Sequence, residues 1–389
     1  MRNRRVYLCT IVIVITILCA VLCGTCASAK VWDESVVDTI NSQGNPYTVA
    51  VIGDKLAVAF IDGPLIVYKT YDPDDDEHPW KEETRISSDI PVSEYHLNKN
   101  RLIKMVDWNG HPAIIWQGAI VPVENLWDHY FNIYFAYEDE TGWHKEVLTT
   151  TSGDRHVLSF LDLKIGPDSV PYIAATGVGD DNCPLGLWHR LPSGVWTGEW
   201  IDEQGDYTWE ILPSLAFDNG LPRVAYWGSD HRGGYTEKPI FIGLRYNWKD
   251  ANGQWHPMNV HGTPLHPTYS DITLLFDSNH KPHFTFVTTD YDGAPQDFYH
   301  IYDNGNPTYP WNTETPFTSG EGTSPSAILE YRPGSGDYLH VAYIDTRYKT
   351  FGYRMRSQTG FDKGIEVRSN ILWVSPKDIA SYKIGRAHV

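Results

Sequence analysis

Short runs of alternating apolar and polar residues recur along most of the chain. The clearest pattern is a turn, then a small residue or proline, then an apolar alternation that ends on an aromatic residue. It occurs at Asp107–Trp116, Asp218–Tyr226 and Asp277–Phe286, with weaker copies that end at Phe60, Ala175 and Tyr343. The six copies end at residues 60, 116, 175, 226, 286 and 343, so consecutive copies lie 51 to 60 residues apart. Alternation with a period of two residues predicts β-strands.

A second pattern lies between the copies of the first. An aromatic residue opens a short strand that often carries a glutamate, at Trp32, Trp80, Trp143, Trp196, Trp255, Trp311 and Phe361. Glycine precedes several of these aromatics, at Gly142, Gly194, Gly253 and Gly360. A further strand such as Ile242–Trp248 lies between the two patterns, so each repeat contains four short strands. Four-stranded antiparallel units of this length predict the blades of a β-propeller. An array of β-sandwiches is the alternative, but it needs longer repeats with their own linkers.

The two patterns differ in number, with seven outer strands against six inner strands. The surplus outer strand is Trp32–Asp38. We therefore predict an all-β, seven-bladed propeller whose last blade is closed by this N-terminal strand, because such closure removes an exposed sheet edge. The other strands of that blade would follow residue 370, where Val374–Ala380 resembles a new inner strand. Residues 384–389 resemble one frame of a sequencing adapter, so we expect a non-native tail and a truncated last blade.

The N-terminus has the pattern of a signal peptide. Arg2, Arg4 and Arg5 precede the apolar run Val6–Cys23, and the small residues of Ala27–Ala29 follow. This pattern predicts cleavage before Lys30, with residues 1–29 as signal peptide and residues 30–383 as the propeller domain. An uncleaved membrane anchor is the alternative. Four of the five cysteines precede Lys30, so the mature chain keeps only Cys183 and has no internal disulfide. We expect a secreted protein, extracellular or periplasmic, without membrane insertion after cleavage.

Composition narrows the class of partner. The 389 residues are 41% hydrophobic and 13% aromatic, which is too apolar for a disordered chain. The formal net charge of −18 argues against nucleic acid and anionic membranes as partners.

The repeat resembles secreted propellers with sialidase-type, Asp-box-related (BNR) repeats. Its best copy is Pro213–Trp227, followed by Leu244–Tyr246 and Gly253–Trp255. The family's full Asp box, Ser-x-Asp-x-Gly-x-x-Trp, is absent, and Asp250–Trp255 is a degenerate relative. The Arg-Ile-Pro signature of sialidases is absent as well. The resemblance therefore implies the fold and argues against sialidase activity.

A second resemblance is to propeller polysaccharide lyases. Asp154–His156 is similar to the Asp-x-His segment that opens a blade there, and Tyr207–Glu210 is similar to a tyrosine-bearing blade start. A uronate lyase needs a base, an acid and a cation beside the substrate carboxylate. The resemblance implies these catalytic roles for His156, Tyr207 and Arg232 (or Arg155). His156 as a hydrogen-bonded residue of a blade start is the favoured alternative.

The predicted ligand face combines the loops after second strands with the connections between blades. Repeat geometry brings aromatic, acidic and basic residues together there, and sugars bind such surfaces through stacking and hydroxyl hydrogen bonds. The predicted ligand-binding residues are Tyr95, His96, Arg155, His156, Trp209, Glu210, Asp230, His231, Arg232, Tyr269, Asp290, Asp345 and Arg347. The alternative is that these residues are merely polar because turns are polar.

The predicted function is recognition of an extracellular glycan or protein ligand through this face. Whether the protein is an enzyme stays open; the alternatives are a polysaccharide lyase and, less favoured, a glycoside hydrolase using Glu210 with Asp230 or Asp271. A structural module of a larger surface protein is a third class. We expect no metal and no cofactor. The acidic run Asp72–Glu77 suggests Ca²⁺, but it lacks the glycine of a calcium loop and is better explained as a solvated loop.

Overall fold

A computed structural model gives the fold. The structure describes residues 9–15, 33–40, 47–62, 64–72, 74–75, 80–87, 103–119, 131–148, 157–178, 185–202, 209–230, 241–262, 272–289, 295–306, 310–317, 323–345, 350–362 and 365–368. Throughout these ranges the regular secondary structure is β-strand, as predicted. No helix long and apolar enough to span a membrane occurs within them.

The strands form six sheets of a common design, here called blades 1 to 6, and one small separate sheet. Blade 1 contains β3 (Tyr47–Ile52), β4 (Lys55–Asp62), β5 (Leu65–Tyr71) and β6 (Trp80–Ser87). Blade 2 contains β7 (Ile103–Trp108), β8 (His111–Ala119), β9 (Phe131–Asp139) and β10 (Gly142–Leu148). Blade 3 contains β11 (Val157–Ile165), β12 (Pro171–Val178), β13 (Leu185–Arg190) and β14 (Trp196–Asp202).

The second half of the ring repeats this design. Blade 4 contains β15 (Trp209–Asp218), β16 (Leu221–Asp230), β17 (Phe241–Lys249) and β18 (Trp255–Gly262). Blade 5 contains β19 (Thr273–Phe276), β20 (Pro282–Thr289), β21 (Pro295–Asp303) and β22 (Trp311–Glu314). Blade 6 contains β23 (Thr323–Arg332), β24 (Gly336–Asp345), β25 (Thr350–Ser357), β26 (Gly360–Phe361) and β27 (Ile365–Arg368). The small sheet pairs β1 (Cys9–Ile15) with β2 (Asp33–Ile40).

Each blade is an antiparallel meander whose strand order follows the sequence. Blade 6 differs only in its outer strand, which is divided into β26 and β27, both paired with β25. The innermost strands contact one another in the order β3, β7, β11, β15, β19 and β23. Residues of all six line one central cavity of about 220 Å³. This radial arrangement confirms the predicted β-propeller.

The faces that neighbouring blades turn towards each other are buried, which explains the nearly continuous apolar second strand of each repeat. Blades 1 and 2 share a cluster against which the rings of Tyr68 and Trp143 meet edge to face at 5.6 Å, and blades 4 and 5 share one that contains Trp227 and Phe286. The rings of Trp227 and Phe286 meet edge to face at 5.0 Å. Such packing removes large aromatic areas from water and supplies most of the stabilisation between blades.

The glycines before the outer strands have a backbone role. Gly142 and Gly253 have φ angles of 111° and 82°. This left-handed region is open to glycine and strained for other residues, so the turn into the outer strand favours glycine.

The predicted N-terminal closing strand is a strand. Among the described residues Asp33–Ile40 pairs with Cys9–Ile15. Cys9–Ile15 is a β-branched apolar run, and such a run with a free edge pairs readily with another strand. The remaining strands of the predicted seventh blade follow residue 368 and lie outside the described residues, so the seventh blade stays a prediction.

Candidate functional site

The two ends of the blades differ. We call the end at which innermost strands begin and second strands end the loop face, and the opposite end the turn face. In blade 4 the register pairs Trp209 with Ser229 and Glu210 with Gly228, and the last residue of β16 is Asp230. The backbone therefore brings Trp209, Glu210 and Asp230, three predicted ligand residues, to the loop face of one blade.

Two other blades carry acidic residues at the same end. Asp345 ends β24 in blade 6 and pairs with Thr350. Asp62 ends β4 in blade 1, where its carboxylate lies 3.9 Å from the guanidinium of Arg85. The side chains of Asp62 and Arg85 are each about half exposed, so a ligand could reach this ion pair from solvent.

The other predicted site residues lie outside the described residues. They are Tyr95, His96, Arg155, His156, Tyr207, His231, Arg232, Tyr269, Asp290 and Arg347. Cys183 and Asp271 also lie outside them. Convergence of His156, Tyr207 and Arg232 therefore stays a prediction.

The acidic run after β5 is partly described. Asp74 donates its N–H to the Asp72 carboxylate at 3.1 Å, and Asp75 forms an ion pair with Lys81. Among the described residues, no three His, Cys, Asp or Glu side chains are arranged to hold a metal ion. The contacts of this run are those of a surface turn.

Several polar groups of the turn face join neighbouring blades. Trp108 Nε1 donates to the Ser169 carbonyl at 2.8 Å, which links blades 2 and 3. His280 Nδ1 lies 2.8 Å from Asp218 Oδ1 between blades 4 and 5. Ser278 Oγ donates to an Asp337 oxygen at 2.6 Å between blades 5 and 6. These side chains are engaged in holding blades together, which leaves the loop face as the candidate ligand surface.

The degenerate Asp box is a turn-stabilising element. Asp250 accepts the N–H groups of Asn252 and Gln254, both at 2.9 Å, and lies 3.0 Å from His256. The hydrogen bond from His256 is the largest of the causes that lower the pKa of Asp250 to about 2. Asp139 is held in the same way by Thr141 and His144 in blade 2. The sialidase-like feature of the sequence thus has a structural role here.

Sequence reasoning missed a ring of polar side chains around the central cavity. An innermost strand is the edge of its sheet, so its inward N–H groups lack a ladder partner. Thr48 Oγ1 accepts the Met105 N–H at 3.2 Å, and Ser214 Oγ accepts the Leu274 N–H at 3.0 Å. The signal in the sequence is one hydrophilic residue per repeat at the same register, namely Thr48, Lys104, Asp162, Ser214, Thr273 and Ser326.

Within this ring, Asp162 accepts hydrogen bonds from two main-chain N–H groups. Its Oδ2 accepts the Leu215 N–H of blade 4 at 2.8 Å, and its Oδ1 accepts the Leu163 N–H at 3.0 Å. The preceding member, Lys104, carries no acceptor, so the N–H of Leu163 is satisfied from within its own blade. One buried carboxylate thereby serves two strands.

The outer strands that begin with a tryptophan often carry a glutamate, for which the sequence alone indicated no role. The structure pairs these glutamates with a cation on the third strand of the next blade. Arg190 Nη2 contacts Glu146 Oε1 at 2.6 Å, and Arg356 Nε contacts Glu314 Oε2 at 2.6 Å. A third pair joins Glu199 and Lys249. We call these three contacts interblade clamps.

Comparison with known proteins supports the fold. No family model matches the sequence, and no curated protein matches it. The GH93 α-L-arabinofuranosidase of Fusarium graminearum, solved with arabinobiose, is similar with a TM-score of 0.50 at 10% identity, covering 82% of this chain and 96% of that chain. AofleA from Arthrobotrys oligospora has a TM-score of 0.49 at 8% identity, covering 84% and 87%. The polysaccharide lyase Uly1 has a TM-score of 0.47 at 11% identity, covering 80% and 86%.

At 10% identity the likeness to the arabinofuranosidase shows the fold alone. The resemblance to sialidase-type repeats is carried by the sequence and stays a prediction.

Proposed function

We propose that this protein binds an extracellular glycan at the loop face. The observation that carries the proposal is the register of blade 4, in which Trp209, Glu210 and Asp230 belong to the same end of one sheet. Tryptophan offers a face on which a sugar ring stacks, and carboxylates accept hydrogen bonds from sugar hydroxyls. The acidic ends of β4 and β24 extend the same chemistry to blades 1 and 6.

A glycan is favoured over a protein ligand for a second reason. The similar arabinofuranosidase structure contains arabinobiose, so a propeller of this shape is suited to sugars. The identity of 10% transfers no substrate, and the sugar recognised here is a separate question. The predicted signal peptide makes a glycan outside the cytoplasm the expected ligand.

Polysaccharide lyase activity is the second candidate. Tyr207 precedes the first residue of β15 by two positions, and Arg232 follows the last residue of β16 by two positions. A lyase would use Tyr207 as its acid and Arg232 as its cation at the loop face, with His156, which immediately precedes β11 in the sequence, as its base. In this mechanism His156 takes the proton beside the uronate carboxylate, Tyr207 protonates the leaving oxygen and Arg232 neutralises the carboxylate.

A panel of polysaccharides distinguishes the two candidates. We expect the purified protein to bind at least one member of an array that includes neutral arabinans and polyuronates. In parallel, each polyuronate is incubated with the protein while ultraviolet absorbance of unsaturated products is followed. Absorbance that rises, and is lost in His156→Ala, establishes a lyase. A flat trace with retained array binding leaves recognition as the function, and absence of binding across the array contradicts the proposal.

A further inference from the structure

A row of polar side chains in contact with one another runs across blade 5, from β20 through β21 to β22, and ends on β25 of blade 6. His283 Nδ1 lies 2.9 Å from His300 Nε2, and His300 Nδ1 lies 3.1 Å from Glu314 Oε2. Arg356 of blade 6 holds Glu314 through two bonds of 2.6 and 2.9 Å. At the inner end of the row, His283 Nε2 lies 3.7 Å from Asp277 Oδ2.

The row fixes where the proton of His300 sits. The Glu314 carboxylate only accepts hydrogen bonds, so His300 Nδ1 carries a proton and donates it. The side chain of His300 is fully buried, and the charge of Glu314 is already balanced by Arg356, so the ring is held as a neutral imidazole. In this neutral form His300 Nε2 accepts the proton of His283 Nδ1.

We propose that His300 is an acid-sensitive latch between blades 5 and 6, a property that is independent of glycan binding. A proton added to Nε2 makes this atom a second donor, and its contact with His283 then persists only if His283 gives up its Nδ1 proton. It also adds a positive charge to a fully buried ring, next to an arginine whose charge Glu314 already balances. The interface held by Glu314 and Arg356 then opens more readily as the surroundings become acidic.

The groups around His300 determine the pH range in which this side chain takes up a proton. Burial, the largest cause, lowers the pKa of His300 to about 4, and the hydrogen bond to Glu314 opposes this shift. Facing groups also include Tyr302 on its own strand and, from blade 6, Arg356 and the Phe361 ring. The pKa values of Glu314 and Asp277 are lowered to about 2, so both carboxylates stay ionised throughout the range in which His300 titrates.

The direction of the effect follows from these values. The folded-state pKa of His300 lies below its ordinary value of 6.5, so the unfolded chain takes up the proton first as the pH falls. The stabilisation is fully present above about pH 6.5 and is lost progressively towards pH 4. For this single proton, the unfolding equilibrium constant rises by up to about tenfold for each pH unit in that range.

Blade 6 shows which residue can replace His300 without introducing a group that titrates between pH 7 and 4. Tyr353 occupies the position of His300, and its hydroxyl lies 2.5 Å from Nδ1 of His340, the counterpart of His283. His300→Tyr therefore copies a pair that the chain already uses. His111→Asn is the control, because His111 lies on the turn face at the start of β8 and, within the described residues, no carboxylate contacts it.

The test is urea unfolding at several pH values from 7 to 4, with hydrogen exchange of β21 and β25 compared between variants at each pH. We expect the wild type and His111→Asn to lose stability steeply on acidification. For His300→Tyr, the unfolding equilibrium constant is expected to rise less, by up to about tenfold less for each pH unit. Equal slopes for wild type and His300→Tyr would overturn the latch.

A second measurement on the wild type covers the case in which His300→Tyr does not fold. The ring signals of His300 in the nuclear magnetic resonance spectrum are followed as the pH is lowered. We expect them to stay at the neutral-imidazole position near pH 6 and to shift or vanish between about pH 5 and 4, together with lost amide protection in β25. A titration near the ordinary value of 6.5, without loss of protection, would overturn the proposal.

Discussion

Replacing Asp162 by alanine is expected to lower the free energy of unfolding by about 3 kcal/mol. The side chain is 6% exposed and satisfies the N–H groups of Leu163 and Leu215 on two adjacent blades. Its removal leaves both donors without this acceptor beside a narrow cavity, and each unsatisfied buried donor costs about 1–3 kcal/mol. Urea unfolding followed by tryptophan fluorescence measures the change.

Two variants test whether this loss comes from the hydrogen bonds. Asp162→Asn keeps one acceptor oxygen, so we expect about half of the loss. Ser214→Ala removes a single bond, to the N–H of Leu274, and is expected to cost about 1 kcal/mol. An Asp162→Ala protein as stable as wild type would contradict the role given to this ring of side chains.

Glu314→Ala is expected to cost about 3 kcal/mol, the other large effect. The substitution leaves the Arg356 guanidinium, 15% exposed, without its carboxylate and removes the acceptor of His300 Nδ1. The pair is partly buried, with Glu314 28% exposed, and removing one partner leaves the other charge largely shielded from water and unpaired with its carboxylate. The change in unfolding free energy is measured in urea at pH 7, where His300 is neutral.

The chain provides its own control for this clamp. Glu199 has the same position in blade 3, but its carboxylate is 43% exposed, so Glu199→Ala is expected to cost less than about 1 kcal/mol. A double variant, Glu314→Ala with Arg356→Met, should recover part of the loss because no unpaired charge remains. Equal losses for Glu314→Ala and Glu199→Ala would contradict the dependence on burial.

The sequence predicted the blades well because their pattern is local. The turn at Asp218–Leu221 and the apolar run after it gave the hairpin of β15 and β16 within a few residues. The buried second strands alternate between two neighbouring blades, and that alternation is visible in one repeat without knowledge of the others. Glycines before the outer strands likewise reported a positive φ angle that any single repeat requires.

Side-chain contacts between blades were beyond the same reasoning. Asp162 acts on an N–H group 53 residues away, and Glu314 binds an arginine 42 residues away. The repeat spacing identifies equivalent positions, but the reach of a side chain across a blade interface depends on the packing distance. The pairing of Asp33–Ile40 with Cys9–Ile15 was missed because any two β-branched strands with free edges are compatible partners.

The most direct test of the proposed function is calorimetric titration of the best glycan from the array into three proteins. These are the wild type, Trp209→Ala on the loop face and His256→Ala on the turn face. We expect Trp209→Ala to bind about tenfold more weakly or worse, through loss of a stacking surface, and His256→Ala to bind like wild type. Unchanged affinity in folded Trp209→Ala, with weakened binding in His256→Ala, would contradict glycan recognition at the loop face.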